Sequence, residues 1–316
     1  MGFQPTPGQA TGAITQTASS ATAAGAAELE AKRPVSDAPL QPILALLGHG
    51  LGGNPTQYMI EKAIVHQELD WRYLSLDVPP EQLEDAVRGM RAMGFRGGNC
   101  AGDYRTMVLP YLDRLSRVAE LTGVVNCILS EEGALVGENT EGKAVLSSLR
   151  RRIDPGGQRV VLLGAGRMAR AVAVELALAQ VAEITVVNRG EEAGGNLVQL
   201  ISGELQTAAS FASWQDDYPV PPETRILIQA TSAAVEDPDA SLPLNLAEMA
   251  PDTVVADVTA NPPRTALVRA AQDRGCPVVD GLEILIAQAA INFKLWTGLE
   301  PNTDVMHDAV EEFLEL

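Results

Sequence analysis

The residues with the clearest chemical signature form a run of small residues between an apolar strand and a long apolar helix. The run reads Gly164-x-Gly166-x-x-Ala169 and follows a strand-like segment at residues 159–163. Gly164 allows a tight turn, Gly166 lets the backbone approach a diphosphate, and Ala169 permits close packing of the helix on the strand. The first helical turn adds amide donors and the positive end of the helix dipole. The pattern therefore predicts a binding site for a dinucleotide.

The end of the next strand selects between the two nicotinamide dinucleotides. It reads Val187-Asn188-Arg189, where an NAD-binding protein usually has an Asp or Glu that binds the ribose 2′-hydroxyl. Asn188 can bind a ribose and Arg189 can pair with a 2′-phosphate, which favours NADP. Glu191 and Glu192 follow closely and oppose an anionic ligand, so NAD stays open as the less favoured cofactor.

Strand-like and helix-like runs alternate on both sides of this loop. A turn-rich boundary, Asp154-Pro-Gly-Gly-Gln, separates two such series. The first series predicts strands at 43–47, 72–76, 95–100, 124–129 and 134–136, and helices at 55–67, 80–94, 106–115 and 140–152. The second predicts strands at 159–163, 183–187, 225–230, 253–258 and 277–279, and closing helices at about 282–296 and 304–314. This alternation predicts an α/β fold with mostly parallel sheets.

Composition narrows the choice of partners and compartment. The formal net charge of −18 argues against binding to nucleic acid or to an anionic membrane, and no apolar run is long enough to span a bilayer. Three widely spaced cysteines predict no disulfide framework and fit the cytoplasm, and three histidines without ligand spacing predict no metal site. Residues 1–38, rich in Ala, Thr, Gln and Gly, predict a disordered tail.

Eight short segments, taken in order, resemble the motifs of the shikimate dehydrogenase family. The family's G-D-P-V-S-x-S-L-S-P, G-x-N-V-T-x-P-x-K, A-V-N-T and G-x-N-T-D-G correspond to residues 48–57, 97–105, 124–127 and 137–142. Its GAGG-A, NRT, D-x-x-Y-N-P and G-x-x-M-L-x-x-Q correspond to residues 164–169, 188–189, 257–262 and 281–288. Each segment is a weak signal alone, but the ordered series covers about residues 42–300 with matching spacing.

The resemblance implies a catalytic pair that departs from the family. The family uses a Lys and an Asp beside the hydroxyl that is oxidised, and these positions read Arg105 and Glu141 here. Arginine cannot give up its proton, so we expect Glu141 to act as the acid–base group and Arg105 to stabilise alkoxide charge. A purely structural ion pair is the alternative.

The resemblance also implies the substrate and cofactor contacts. Five polar residues are expected at the substrate: Asn54, Thr56, Asn99, Asn126 and Gln288. Asn54 and Thr56 replace two family serines, and Ala101 and Ala260 replace a threonine and a tyrosine, so a changed substrate stays open. The expected cofactor contacts are Gly164, Ala165, Gly166, Arg167, Met168, Ala169, Asn188, Arg189 and Thr231.

The fold implied by the family is a substrate domain joined to a Rossmann-like domain, with the active-site cleft between them. Residues 39–141 and 287–316 are expected to form the first domain, and residues 142–286 the NADP-binding domain. The implied activity is NADP-dependent interconversion of shikimate and 3-dehydroshikimate, a step of aromatic amino acid biosynthesis, in a monomer or homodimer. The alternatives are a dehydrogenase for quinate or another ring hydroxy acid, and a dinucleotide-binding protein without turnover.

Overall fold

The computed structural model describes residues 40–233, 237 and 241–316 of the chain. The expected disordered tail, residues 1–38, lies outside these residues. Residues 41–316 form one unit that contains two six-stranded sheets. No helix within the described ranges is long and apolar enough to cross a membrane.

The first sheet is mixed, and together with its helices it forms what we term the N-terminal lobe. Its strands are β1 (Ile43–Gly48), β2 (Arg72–Asp77), β3 (Gly97–Cys100), β4 (Arg114–Leu115), β5 (Cys127–Glu131) and β6 (Ala134–Glu138). Its helices are α1 (Thr56–His66), α2 (Leu83–Ala92), α3 (Tyr104–Met107) and α4 (Arg117–Thr122). The strand order is β2-β1-β3-β5-β6-β4, with β1 parallel to both of its neighbours and β5 antiparallel to both of its own.

The second sheet is parallel throughout, and with its helices it forms the C-terminal lobe. Its strands are β7 (Arg159–Leu163), β8 (Glu183–Asn188), β9 (Ala208–Ser213), β11 (Ile226–Gln229), β13 (Val254–Asp257) and β14 (Val278–Val279). A separate pair is formed by β10 (Tyr218–Pro219) and β12 (Leu244–Asn245), and the helices are α5 (Glu141–Leu149), α6 (Arg167–Leu178), α7 (Glu191–Gln199) and α8 (Ala266–Asp273). Because β7 lies between β8 and β11, the strand order reverses beside it, and ligands bind at such a switch point.

Two helices close the chain, α9 (Gly281–Thr297) and α10 (Thr303–Leu314), and α9 packs against the cores of both lobes. Ile284 and Ala287 join the core of the C-terminal lobe, whereas Leu282 and Phe293 join that of the N-terminal lobe. A helix that is apolar on both faces in this way is buried between two layers. The position of α9 therefore brings its polar residues to the junction of the lobes.

In the first predicted series one helix is wrong and another is missing. The predicted helix at 106–115 is wrong: α3 ends at Met107, a 3-10 turn covers Leu109–Tyr111, and β4 then pairs with β6. Pro110 explains this, since it has no amide hydrogen and its ring clashes with the carbonyl four residues earlier. The helix α4 was missed, although Ser116 caps its start by accepting from the Ala119 amide and Gly123 ends it in the left-handed region.

Candidate active site

A cavity of about 270 Å³ lies where the N-terminal lobe, α9 and the loop after β13 meet. Its lining includes six of the side chains predicted for the substrate and its chemistry: Asn54, Thr56, Asn99, Arg105, Asn126 and Gln288. They come from the loop after β1, from the start of α1, from β3, from α3, from the segment before β5 and from α9. The fold thus gathers residues spread over more than two hundred positions into one site.

Asn99 and Asn126 are fixed in the cavity wall by a chain of buried hydrogen bonds. Asn99 accepts from the Tyr73 hydroxyl at 2.8 Å and donates to the Asn126 carbonyl at 2.8 Å. Asn126 donates to the Thr140 hydroxyl at 2.8 Å and accepts from the Thr140 amide at 2.7 Å. The Thr140 hydroxyl in turn donates to Asn292 at 2.7 Å. Buried amides satisfied in this way are held in one orientation, as a binding site requires.

Sequence reasoning missed three members of this chain: Tyr73, Thr140 and Asn292. A signal existed for Asn292, because it follows Gln288 by four residues on the otherwise apolar helix α9 and must share its face. Asn292 also lines the cavity. Gln288 and the Thr56 hydroxyl carry no hydrogen bond within the part of the chain that the structure describes, so both are available to a ligand.

Arg105 and Glu141 meet at the edge of the cavity. Nη1 of Arg105 on α3 lies 2.7 Å from Oε1 of Glu141, the first residue of α5. The Nε of Arg105 donates to the Cys100 carbonyl at 3.3 Å. The Glu141 side chain is 1% exposed and that of Arg105 is 32% exposed. Arg105 lines the cavity and Glu141 does not, so the buried carboxylate is linked to the cavity through Arg105.

The surroundings of Glu141 explain how its carboxylate can be buried. Its place in the first turn of α5 sets it near the positive end of the helix dipole, and its amide donates to Asn139 at 3.0 Å. Arg105 lies within ion-pair distance of Glu141, but the N–H groups of Arg105 are not aligned to donate a hydrogen bond to the carboxylate. Among the described residues no other donor reaches either carboxylate oxygen. Both oxygens are buried, and Arg105 provides the counter-charge that a buried carboxylate needs.

The Cys100 thiol lines the same cavity without adding a nucleophile. Burial raises the pKa of Cys100 to about 12, against a smaller opposing effect of Arg105. Since the thiolate is the reactive form, this thiol stays protonated and inert at neutral pH.

The loop after β13 brings Ala260 and Asn261 to the cavity from the C-terminal lobe. Asp257 holds this loop: its carboxylate accepts from the Thr259 amide at 2.9 Å and from the Thr265 hydroxyl at 2.7 Å. Burial raises the pKa of Asp257, and the two hydrogen bonds oppose that rise. The aspartate thus shapes the loop and does not line the cavity.

The glycine loop has the shape that its sequence predicts. Gly164 adopts a φ of +107°, and a Cβ there would lie 3.0 Å from the Ala230 carbonyl oxygen. Ala169 is fully buried against the core. A Cβ at Gly166 would meet nothing within 4 Å, so the backbone is open to solvent at the start of α6. This open cradle at a helix N-terminus fits the diphosphate of a dinucleotide.

The other residues predicted for the cofactor lie at the same edge of the second sheet. Thr231 packs its methyl group beside Gly164, and Asn188 ends β8 with its amide donating to the Gly190 carbonyl at 2.9 Å. Arg189 forms no ion pair with a carboxylate among the described residues, so its guanidinium is free for an anion. Ala165 and Met168 pack against the core, while Arg167 contacts Asp103 of the N-terminal lobe.

Comparison with known proteins identifies the family. Three family models match: the shikimate dehydrogenase substrate binding domain over residues 46–128, shikimate / quinate 5-dehydrogenase over 148–236 and the shikimate 5'-dehydrogenase C-terminal domain over 281–311. The shikimate dehydrogenase (NADP(+)) of Methanopyrus kandleri is 35% identical over 278 residues, which cover 86% of this chain and 96% of that protein. The chain belongs to the shikimate dehydrogenase family. Its α/β fold, with a substrate lobe and a Rossmann-like lobe, is that of the family's solved structures.

Two solved structures of the same fold differ in their named substrates. The ligand-free 5-ketofructose reductase of Gluconobacter sp. strain CHM43 is 39% identical with a TM-score of 0.84, covering 86% of this chain and 98% of that one. The shikimate 5-dehydrogenase of Thermus thermophilus in complex with NADP(H) and shikimate is 32% identical with a TM-score of 0.74, covering 87% and 100%. Solved structures similar to this chain thus carry names with unlike substrates.

Two of the departures from the family motifs remove hydroxyl groups from the cavity wall. Ala101 and Ala260, which replace a threonine and a tyrosine of the motifs, both line the cavity. The wall thus lacks two hydroxyls that the family motifs would provide. Each lost hydrogen bond to a substrate hydroxyl changes affinity by about 1–3 kcal/mol.

Proposed function

We propose that the chain catalyses NADP-dependent interconversion of shikimate and 3-dehydroshikimate, as a monomer or homodimer in the cytoplasm. It is an NADP-dependent oxidoreductase of the shikimate dehydrogenase family, with relatives named for that activity over 86% of its length. The observation that carries the proposal is the Arg105–Glu141 pair beside the cavity that gathers the polar residues of the substrate motifs. The fold has the open glycine loop that a dinucleotide needs.

In the proposed mechanism Glu141 takes the proton of the substrate hydroxyl during oxidation and returns it during reduction. Arg105 stabilises the negative charge that develops on the same oxygen, as its fixed positive charge allows. The bound cofactor supplies the chemistry of hydride transfer at the carbon that carries this oxygen. Asn99, Asn126 and Gln288 hold the other polar groups of the substrate, and their hydrogen-bonded or packed positions set its orientation.

Asn54 and Thr56 are proposed to bind the substrate carboxylate. The Asn54 Oδ1 accepts from the Thr56 amide at 3.0 Å, which leaves its Nδ2 and the Thr56 hydroxyl as donors toward the cavity. Neutral donors can hold a carboxylate, although each contributes less than a cation would. The cofactor would lie along residues 164–169, with Asn188 and Arg189 at the adenosine ribose and its 2′-phosphate and Thr231 beside Gly164.

The proposed division of the chain follows from these contacts. Residues 39–141 and 287–316 serve the substrate, and residues 142–286 serve NADP. The sheets support this division, since the first ends with β6 at Glu138 and the second begins with β7 at Arg159. The helix α9 belongs to both sides of the boundary, because its core contacts alternate between the lobes.

A second candidate function is the reduction of an uncharged polyhydroxy ketone such as 5-ketofructose. Two observations favour it: the 39% identity to the Gluconobacter 5-ketofructose reductase, and the alanines at positions 101 and 260 of the cavity wall. A substrate of this kind needs no carboxylate site. Arg105 and Glu141 would keep the same roles at the reacting oxygen, so both candidates use one mechanism.

The test of these two functions is a substrate panel followed at the absorbance band of reduced nicotinamide. Shikimate and quinate are offered with NADP and with NAD, and 3-dehydroshikimate and 5-ketofructose are offered with NADPH. We expect turnover of shikimate and 3-dehydroshikimate with the phosphorylated cofactor. Turnover of 5-ketofructose alone would replace the first function by the second, and binding of NADP without any turnover would remove both.

The cofactor site gives a separate prediction, Gly166→Val. The new side chain would occupy open space, so the melting temperature should stay within about 2 °C of the wild type. The same side chain would keep a diphosphate from the backbone, so the Kd for NADP should rise at least about tenfold. Calorimetric titration measures the Kd, with Gly203→Val as control because a Cβ there also meets nothing within 4 Å. An unchanged Kd would move the cofactor away from this loop.

A further inference from the structure

An ion pair joins the N-terminal lobe to the C-terminal lobe. Asp103 lies just before α3 in the N-terminal lobe, and Arg167 is the first residue of α6 in the C-terminal lobe. Their Oδ1 and Nη2 atoms are 3.2 Å apart. Both residues depart from the family motifs, which have proline where Asp103 stands and glycine where Arg167 stands. Two departures in separate motifs thus place a carboxylate and a guanidinium in contact.

Arg167 occupies the place where the phosphates of a dinucleotide are expected. It follows Gly166, whose backbone is open to solvent, and its amide belongs to the first turn of α6. The next arginine of the helix, Arg170, is directed elsewhere, since its Nε donates to the Leu121 carbonyl at 3.0 Å. The guanidinium of Arg167 is therefore the cation that this loop can offer to an anion, and Asp103 already neutralises it.

We propose that Asp103 sets the affinity for the dinucleotide by competing with its diphosphate for the guanidinium of Arg167. This inference rests on the proposed function, because it takes the ligand of the glycine loop to be NADP. Asp103 is a positioning residue: it holds Arg167 across the cleft in the free protein and gives it up when the cofactor binds. Asp103 and Arg167, which replace the proline and the glycine of the family motifs, thus limit the affinity for the cofactor.

The exchange of partners is favourable on physical grounds. The side chains of Arg167 and Asp103 are 50% and 77% exposed, so water screens their attraction and the contact opens easily. A diphosphate brings more charge than one carboxylate, and its oxygens match the planar fork of a guanidinium. After the exchange, the Asp103 carboxylate stays near the phosphates and weakens their binding through repulsion of like charges.

The test is Asp103→Asn, which removes the charge and keeps the size of the side chain. The Kd for NADP, measured by calorimetry at low ionic strength, should fall about threefold, and the gain should shrink at about 0.5 M salt because exposed charges are screened there. The kcat at saturating cofactor should change less than about twofold, since Arg105 and Glu141 are untouched. Asp103→Glu, which keeps the charge, should retain the wild-type Kd.

Two controls separate this effect from a general change of charge. Asp85→Asn removes the same charge from an exposed aspartate of α2 that pairs with Arg88 at 3.8 Å, and it should leave the Kd unchanged. In an Arg167→Gln background, which itself should bind NADP more weakly, Asp103→Asn should give a smaller gain than in the wild type. The same gain in both backgrounds would show that Asp103 does not act through Arg167.

The outcomes also separate this inference from the proposed function. Equal NADP binding by Asp103→Asn would show that Asp103 does not compete with the cofactor. Weaker binding would show that the ion pair is kept in the complex and supports binding. Either result would overturn the inference. Such a result would leave the proposed function in place, provided that the wild type binds NADP. If the folded wild type binds no NADP in the same titration, the proposed function itself fails, and this inference fails with it.

Discussion

Replacing Glu141 by glutamine should lower kcat at least about 100-fold and leave the Kd for NADP unchanged. Glutamine keeps the size and burial of the side chain but cannot accept the proton of the substrate hydroxyl. In the wild type the Glu141 carboxylate can accept a proton, and its partner Arg105 lines the cavity. Steady-state rates with saturating substrate and cofactor measure the loss, and calorimetry measures the Kd.

The matched control for this variant is Glu175→Gln on α6. Glu175 is also a buried glutamate with an oxygen that has no hydrogen-bond partner among the described residues, but unlike Glu141 it forms no ion pair with a residue of the cavity wall there. Burial raises the pKa of Glu175, so a neutral side chain suits its site and the fold should stay intact. We expect wild-type kcat from Glu175→Gln. Full activity in Glu141→Gln would instead assign the proton transfer to another group.

Replacing Arg105 by methionine should lower kcat/KM by about 100-fold to 1,000-fold, because the developing charge on the substrate oxygen loses its cation. The melting temperature should fall as well, since Glu141 would remain buried without a counter-charge. The double variant Arg105→Met/Glu141→Gln should melt above Arg105→Met, because it buries no unpaired charge. Thermal melts and steady-state rates on the four proteins of this cycle provide the measurements.

Two further variants make the Arg105 result specific. Arg105→Lys restores the residue type of the family motif, so it should keep at least about a tenth of the wild-type kcat/KM. Arg114→Met removes an exposed arginine that pairs with Glu131 at 2.9 Å in the same lobe, and it should leave the rates unchanged. If Arg105→Met melted lower but kept the wild-type kcat/KM, the pair would be structural, the alternative that the sequence leaves open.

Much of the fold follows from local sequence. The glycine loop is predictable because Gly164 and Gly166 have backbone demands that few other residues meet, and the flanking apolar runs define β7 and α6. The helices α9 and α10 follow from their apolar periodicity and lie within one residue of their predicted ends. The helix predicted at 106–115 is wrong because Pro110 outweighs the apolar periodicity of that segment.

The sequence predicted which residues belong to the candidate site but not which of them contact one another. Ordered motifs name Asn99, Asn126, Arg105 and Glu141, because similar motifs in one family bring similar residues to the substrate. Nothing local to those motifs shows that Asn126 bonds Thr140, or that Thr140 reaches Asn292, which lies 152 residues away. Such contacts depend on how α9 packs between the lobes.

The sequence by itself determined the fold class, the dinucleotide loop, the family and the residue types available for proton transfer, since these depend on spacing along the chain. The tertiary structure decided which of those residues share a cavity, that Glu141 is buried beside Arg105, and that Asp103 meets Arg167 across the cleft. The physical reason is that burial and charge pairing arise from the packing of distant segments, and this packing depends on the whole core.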